Sequence, residues 1–180
     1  MTVSEARSWS FSVIGGPAPQ GSKSPKGYRN GHAVMVESSK NVAPWRQAVA
    51  AAAFGAGPCL DGPLVVAMVF ALRRPASARK RDAVPCRYPD VSKLARSTED
   101  AITTAGLWAD DARVAVYAPL AKAYAGWPIP GLEDVTVPVP GVVVACAELS
   151  GPGAYGLVRK LLAKEAASLA AQAVRYAATA

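Results

Sequence analysis

At 180 residues with 51% hydrophobic content, the chain is long enough to bury one substantial core, and its net charge of +7 with a pI near 9.5 suits a polyanionic partner such as nucleic acid. It has no apolar run of about eighteen residues to span a bilayer, and its opening MTVSEARSWS lacks the cationic-then-apolar order of a signal peptide, so a cytoplasmic protein without a membrane partner is expected. Cys59, Cys86 and Cys146 are odd in number and form no C-x-x-C, which argues against a disulfide framework and a thiolate zinc site.

In chain order, SWSFSVI (residues 8–14) alternates Trp9, Phe11 and Val13 with serine and predicts a half-buried strand. GGPAPQGSKSPKGYRNGH (15–32) reads as a Gly/Pro loop that carries Lys23, Lys26 and Arg29, and AVMVE (33–37) as a short strand. Pro44 in a first turn, followed by an alanine run, predicts a helix to about Phe54, ended by Gly55 and Gly57. PLVVAMVFAL (63–72) is apolar and β-branched throughout, as a central strand is. It leads into the arginine-rich loop RRPASARKRDAVPCRYP (73–89), with Arg79, Lys80 and Arg81 as candidate phosphate contacts. Asp90 is placed to N-cap a helix over 91–104, closed by Gly106. Residues 112–125 and 141–149 read as two further strands around a Pro/Gly-rich turn. Past the break at Pro152 and Gly153, an alanine-rich segment is helical by propensity. The predicted division is a domain over 1–150 and a helical extension over 151–180.

Two familiar chemistries fail on spacing. In GPAPQGSKS (16–24) Gly21 is followed by Ser22 and then Lys23, not by Gly-Lys-Ser/Thr, and Pro17 and Pro19 remove N–H donors that a phosphate cradle uses. His32 is the only histidine, which excludes multi-histidine zinc sites and leaves a Ser-His-Asp triad dependent on this one loop residue. Acid–base or phosphoryl chemistry here has to come from carboxylates.

Those carboxylates are unevenly placed. Residues 1–89 carry a net +8 and residues 112–180 a net +2, whereas residues 90–111 carry −3 and hold five of the thirteen acidic residues. Asp90 opens a helix on which Glu99 follows Ser92 by seven residues, nearly the same face, while Asp110 and Asp111 stand at the mouth of the next strand. Two or three carboxylates at a groove edge suffice to hold a hard divalent ion against a phosphodiester. An ion-pair network with Lys93, Arg96 and Arg113, or a merely solvated helix and turn, are the plainer readings.

The run YPDVSKLARSTEDAITTAGLWADDARV resembles the signature of the RusA family of Holliday junction resolvases, endonucleases common in bacteriophage and prophage. Their motif is Asp-x-Asp-Asn-Leu-x-Lys, then a helix, then Asp-Asp at a strand start, and the distance matches without a gap. The proline-rich opening loop is similar too, so the resemblance covers about residues 8–150. It implies an α/β protein of the α+β type with a mixed β-sheet and flanking helices, acting as a homodimer on four-way DNA junctions in the bacterial host cytoplasm. It also implies dependence on Mg²⁺, with Mn²⁺ as an alternative, and in-line attack by a metal-activated water. Carried over by position, Asp90 and Asp111 become metal-binding aspartates with Asp110 beside them, and Arg96 stands where the family has its catalytic lysine. Arg96 or Lys93 would neutralise the scissile phosphate. Ser92 departs from the pattern, standing where the second aspartate belongs. Glu99, reaching back along the same face, is one candidate to restore the missing charge; Asp100 is the other, unless it pairs with Arg96 at i,i+4. Two rival readings follow from Ser92 and from the family's range: a catalytically impaired DNA-binding relative, and a nuclease for other branched or duplex DNA.

Overall fold

The computed structural model describes residues 6–21, 23–29, 31–37, 40–79, 82, 84–151 and 153–179. β1 (Ser8–Ile14) buries Trp9, Phe11 and Val13 and leaves the intervening serines half-buried, as its period-two pattern requires. It pairs antiparallel with β6 (Gly141–Glu148), which pairs antiparallel with β4 (Leu64–Leu72); β4 in turn runs parallel to β5 (Val114–Tyr124). The result is a mixed sheet in the order β1-β6-β4-β5. Every residue of β4 is buried, which explains why its sequence is continuously apolar instead of alternating.

Each face of the sheet is covered. Leu64, Val66, Met68 and Phe70 of β4 meet α1 (Val42–Ala53) and α2 (Val91–Ala105) in one core, which also contains Trp9, Trp45 and Trp108. Val65, Ala67, Val69 and Ala71 meet α3 (Gly153–Thr179) through Ala154, Val158, Leu162, Ala166 and Leu169 in the other. Full burial of a Val or Leu side chain contributes about 1.5–3 kcal/mol, so α3 is held by a substantial apolar seam. Arg159 adds a 2.6 Å ion pair to Asp134 and Ser10 a 3.0 Å hydrogen bond to Glu165. Gly141 has a specific reason to be glycine: a Cβ there would lie 2.1 Å from the Val13 carbonyl oxygen, so no other residue admits this approach of β1 to β6.

One expected loop is not wholly a loop. Within 15–32 the segment Lys23–Arg29 forms β2, paired antiparallel with β3 (His32–Glu37) in a separate two-stranded ribbon. Proline and glycine there are accommodated by a register shift between Pro25 and Tyr28. Arg29 pairs with His32 across the two positions occupied by Asn-Gly, the strongest short hairpin signal, and Gly31 has φ +77°. The loop after Gly21 therefore feeds a strand and not a helix, which removes the last support for a Walker-type cradle. α1 starts two residues before Pro44, at Val42, and ends where Gly55 turns at φ +76°. The strand expected from residue 112 begins at Val114, after a 3-10 turn over Asp111–Arg113. Among the described residues no helix is long and apolar enough to cross a membrane.

Candidate active site

Helix α2 is amphipathic by placement. Leu94, Ala95, Ala101 and Ile102 enter the core, and Gly106, left-handed at φ +74°, closes the helix with its N–H on the Ile102 and Thr103 carbonyls. Trp45 Nε1 donates to Thr98 Oγ1 at 3.3 Å, fixing α1 against α2. The opening loop is strapped along the same helix: Gln20 N donates to the Lys93 carbonyl at 2.9 Å, and Ser97 Oγ donates to the Ala18 carbonyl at 2.6 Å. Ser92, Arg96 and Glu99 follow at i, i+4 and i+7 and so form one stripe. Ser92 and Arg96 are exposed, whereas Glu99 is only 7% exposed.

Asp90 sits at the helix entrance with extended N-cap geometry, yet its side chain makes no capping bond. The carboxylate instead lies 3.5 Å from Lys93 Nζ. Capping by position is thus correct and capping by side chain is not, because the neighbouring ammonium competes for the same oxygens. Asp100 does not turn to Arg96; it pairs with Arg46 of α1, since packing of the two helices brings that guanidinium closer than the helical neighbour.

Past α2, the segment before the second pair of aspartates is pinned by Leu60, whose N–H donates to the Leu107 carbonyl at 2.9 Å and whose carbonyl accepts from Ala109 N at 3.0 Å. Trp108 is buried and donates to Thr103 Oγ1 at 2.7 Å. Asp110 Oδ1 accepts from Ala112 N at 2.8 Å and caps the 3-10 turn, so one of its oxygens is already used. Asp111 is exposed and takes part in no ion pair among the described residues; neighbouring Arg113 turns away to Asp61 at 2.8 Å.

Glu99 lies within range of the Asp111 charge. The Tyr117 hydroxyl, from β5, donates a short hydrogen bond to Glu99 Oε1. Burial pushes the Glu99 carboxyl above its usual range; the Tyr117 bond and Arg96 oppose that, and the Asp111 charge adds to it. Burial, the bond to Glu99 and the two carboxylate charges also push the Tyr117 phenol up. Glu99 and Tyr117 therefore hold their protons tightly, and a cation there would relieve the same imbalance. No three His, Cys, Asp or Glu side chains among the described residues converge closely enough to hold a metal ion. A pair of carboxylates fits Mg²⁺ nonetheless, because that ion keeps several waters and takes one or two carboxylates plus substrate phosphate.

Three residues near this site carry no obvious motif. Tyr117 and Lys122 come from β5, and Lys122 Nζ donates to the carbonyls of Arg87 and Pro89, both at 2.8 Å. Tyr88, 72% exposed, stands two residues before Asp90 and shares a groove with Arg73, Pro17 and Pro19. A single lysine inside the apolar strand was the one available hint. The described residues of the arginine-rich loop are irregular as expected. They are held from beneath by Arg74, whose guanidinium lies 4.2 Å from the Trp127 ring centroid and donates to the carbonyls of Arg79 at 2.6 Å and Asp82 at 3.2 Å. Arg79 is exposed and Arg29 is exposed on the ribbon; Lys23 and Lys26 lie on β2, and Lys80 and Arg81 fall outside the described residues.

No curated protein matches the chain. A family model, Endodeoxyribonuclease RusA, matches residues 17–131, a span shorter at both ends than the resemblance in the sequence and one that contains the ribbon, the arginine-rich loop, α2 and both aspartate positions. The match covers more than half of the molecule, and the chain belongs to the RusA family of endodeoxyribonucleases, the Holliday junction resolvases.

Proposed function

We propose that this protein is a Mg²⁺-dependent endonuclease that cleaves four-way DNA junctions, acting as a homodimer that presents one site to each of two opposed strands. The observation that carries the reading is the buried Glu99, within range of the Asp111 charge and on the helical stripe of Ser92 and Arg96. Glu99 and Asp111 are assigned to the metal, with Asp110 and the Ser92 hydroxyl at its margin; Asp90, which the family motif adds to the set, pairs with Lys93 in the metal-free chain and would join them on leaving that lysine. A divalent ion there, Mg²⁺ or Mn²⁺, supplies a more acidic water and neutralises charge on the phosphoryl oxygens.

The chain's own residues do the rest. Arg96 and Lys93, both exposed on the first turns of α2, are assigned to the scissile phosphate. Arg29 and Arg79, together with Lys23, Lys26, Lys80 and Arg81, supply the sequence-independent grip on duplex arms. Family membership supports the junction as substrate.

The test is incubation of purified protein with a labelled four-way junction, with and without Mg²⁺. Symmetric nicks that require the ion are expected, and junction competition should outweigh that of duplex. Ser92 supports a second reading, a catalytically impaired relative that binds junctions without cutting them, because a hydroxyl replaces the motif's carboxylate. Binding with no cleavage in either Mg²⁺ or Mn²⁺ would favour it. Equal competition by duplex would point to a different DNA substrate. Light scattering of the free protein at twice the chain's 18.6 kDa checks the dimer.

A further inference from the structure

Edge strand β5 touches both ends of the site through a departure from regular geometry. Tyr117 stands in register with Val66 and Lys122 with Phe70, and both β4 residues face the layer that contains α2. Residues five apart on a regular strand point to opposite faces. Tyr117 and Lys122 share a face because the β4–β5 register shifts between Val66 and Met68, opposite Ala118 and Pro119. An extra residue in one strand re-aims the side chains beyond it, and an edge strand tolerates the missing N–H of proline.

The consequence is a pair of anchors on α2 and its entrance. Tyr117 donates to Glu99 Oε1, leaving Oε2 without a partner among the described hydrogen bonds. Lys122 Nζ donates to the carbonyl oxygens of Arg87 and Pro89 at 2.8 Å each. The Pro89 carbonyl belongs to the peptide plane that leads into Asp90, and the Asp90 carbonyl accepts from Leu94 N at 3.1 Å, so the backbone is held on both sides of the aspartate. From this geometry we infer that Lys122 and Tyr117 are positioning residues for the metal-binding carboxylates, Lys122 for Asp90 and Tyr117 for Glu99. The inference rests on the assignment of those carboxylates under Proposed function.

An ammonium near a cation site opposes the cation, so charge and positioning predict opposite signs when it is removed. The probe is Mn²⁺ itself, titrated without DNA and followed by electron paramagnetic resonance of the free ion. Lys122→Met should weaken Mn²⁺ about tenfold or more, the scale of losses when a group that orients metal ligands is deleted. Tyr117→Phe should weaken it similarly without changing any charge, and Lys122→Arg, which can still donate to both carbonyls, should recover part of the loss. Affinity for Mn²⁺ equal to or tighter than wild type in Lys122→Met would overturn the role of Lys122, and wild-type affinity in Tyr117→Phe that of Tyr117. Asp111→Asn serves as the reference. Should it bind Mn²⁺ like wild type, the metal assignment itself fails and the inference with it; should it lose Mn²⁺ while Lys122→Met and Tyr117→Phe keep it, positioning alone fails. Lys122→Arg and Tyr117→Phe decide the matter if Lys122→Met does not fold.

Discussion

Replacing Glu99 by Gln separates charge from shape. The amide is isosteric, its oxygen can still accept from Tyr117, and the change in helix propensity is small. What disappears is one negative charge from a side chain only 7% exposed and within range of the Asp111 charge. In a site where Ser92 already replaces one carboxylate, its loss should lower Mg²⁺-dependent cleavage on the order of a hundredfold, about 2.7 kcal/mol of transition-state stabilisation. Ser92→Asp in the same background should restore much of it. Stability of the metal-free protein should move the other way. Burial raises the folded-state pKa of Glu99 above 4.5, so the folded state holds this proton more tightly than the unfolded state does. Stability is then lost as pH rises from the unfolded value through the folded one, by about 1.4 kcal/mol for each unit of displacement. Gln never ionises. Without Mg²⁺, Glu99→Gln should therefore melt above wild type at neutral pH, with the difference shrinking as pH falls towards 4.5; adding Mg²⁺ should narrow the neutral-pH gap by stabilising the charged form. Cleavage by Glu99→Gln at wild-type rates across a Mg²⁺ titration would refute the catalytic argument. A melting difference that is the same at acid and neutral pH would refute the electrostatic one and trace the effect to packing.

Asp111→Asn should abolish cleavage and leave junction binding in EDTA within about twofold of wild type, measured by fluorescence anisotropy, because phosphate contacts do not pass through that carboxylate; near-normal cleavage would remove Asp111 from the site. Truncating Lys80 and Arg81 together should lower the slope of log affinity against log salt by up to about two units, and an unchanged slope would make that segment a solvated linker. Trp127→Ala withdraws the ring beneath Arg74, a contact worth about 0.5–2 kcal/mol, and should raise trypsin cleavage in the arginine-rich loop several-fold with little change in melting temperature; unaltered proteolysis would show that the carbonyl bonds of Arg74 suffice. Gly141→Ala should destabilise by roughly 2 kcal/mol or more in urea, because its Cβ meets the Val13 carbonyl oxygen; a wild-type midpoint would mean that β1 can withdraw freely.

The elements that were legible in the sequence are those whose pattern is local. β4 and β6 are continuous apolar runs because both faces of each are covered, β1 alternates, and α2 is bracketed by Asp90 and Gly106. β2 was illegible because its lysines, proline and glycine read as a loop even beside the strand expected at 33–37; only the Asn-Gly between Arg29 and His32 spoke for a hairpin. The site divides in the same way. Asp90, Ser92, Arg96 and Asp111 lie at motif spacing and can be found by counting, and the pairing of Asp90 with Lys93 is a neighbour on one helix.

Tertiary choices escape counting. Asp100 had an equally good partner four residues back, yet α1 packs close enough to offer Arg46, and a contact between helices has no signature in either segment. Tyr117 and Lys122 were harder still, since a strand's period of two assigns them to opposite faces, and only the register shift opposite Ala118 and Pro119 sets them on one. The acidic island in this basic chain can be read by the same distinction. Asp90, Asp100 and Asp110 each find a partner within the protein, in Lys93, Arg46 and the Ala112 amide. Asp111 has no ion pair among the described residues, and Glu99 is buried within range of its charge with a phenol for its partner. Two carboxylates that feel each other's charge and have no ion pair among the described residues are stabilised by taking up a proton or a cation from outside, which is why the function of this chain is sought at the meeting of α2 and β5 and not along its more numerous arginines.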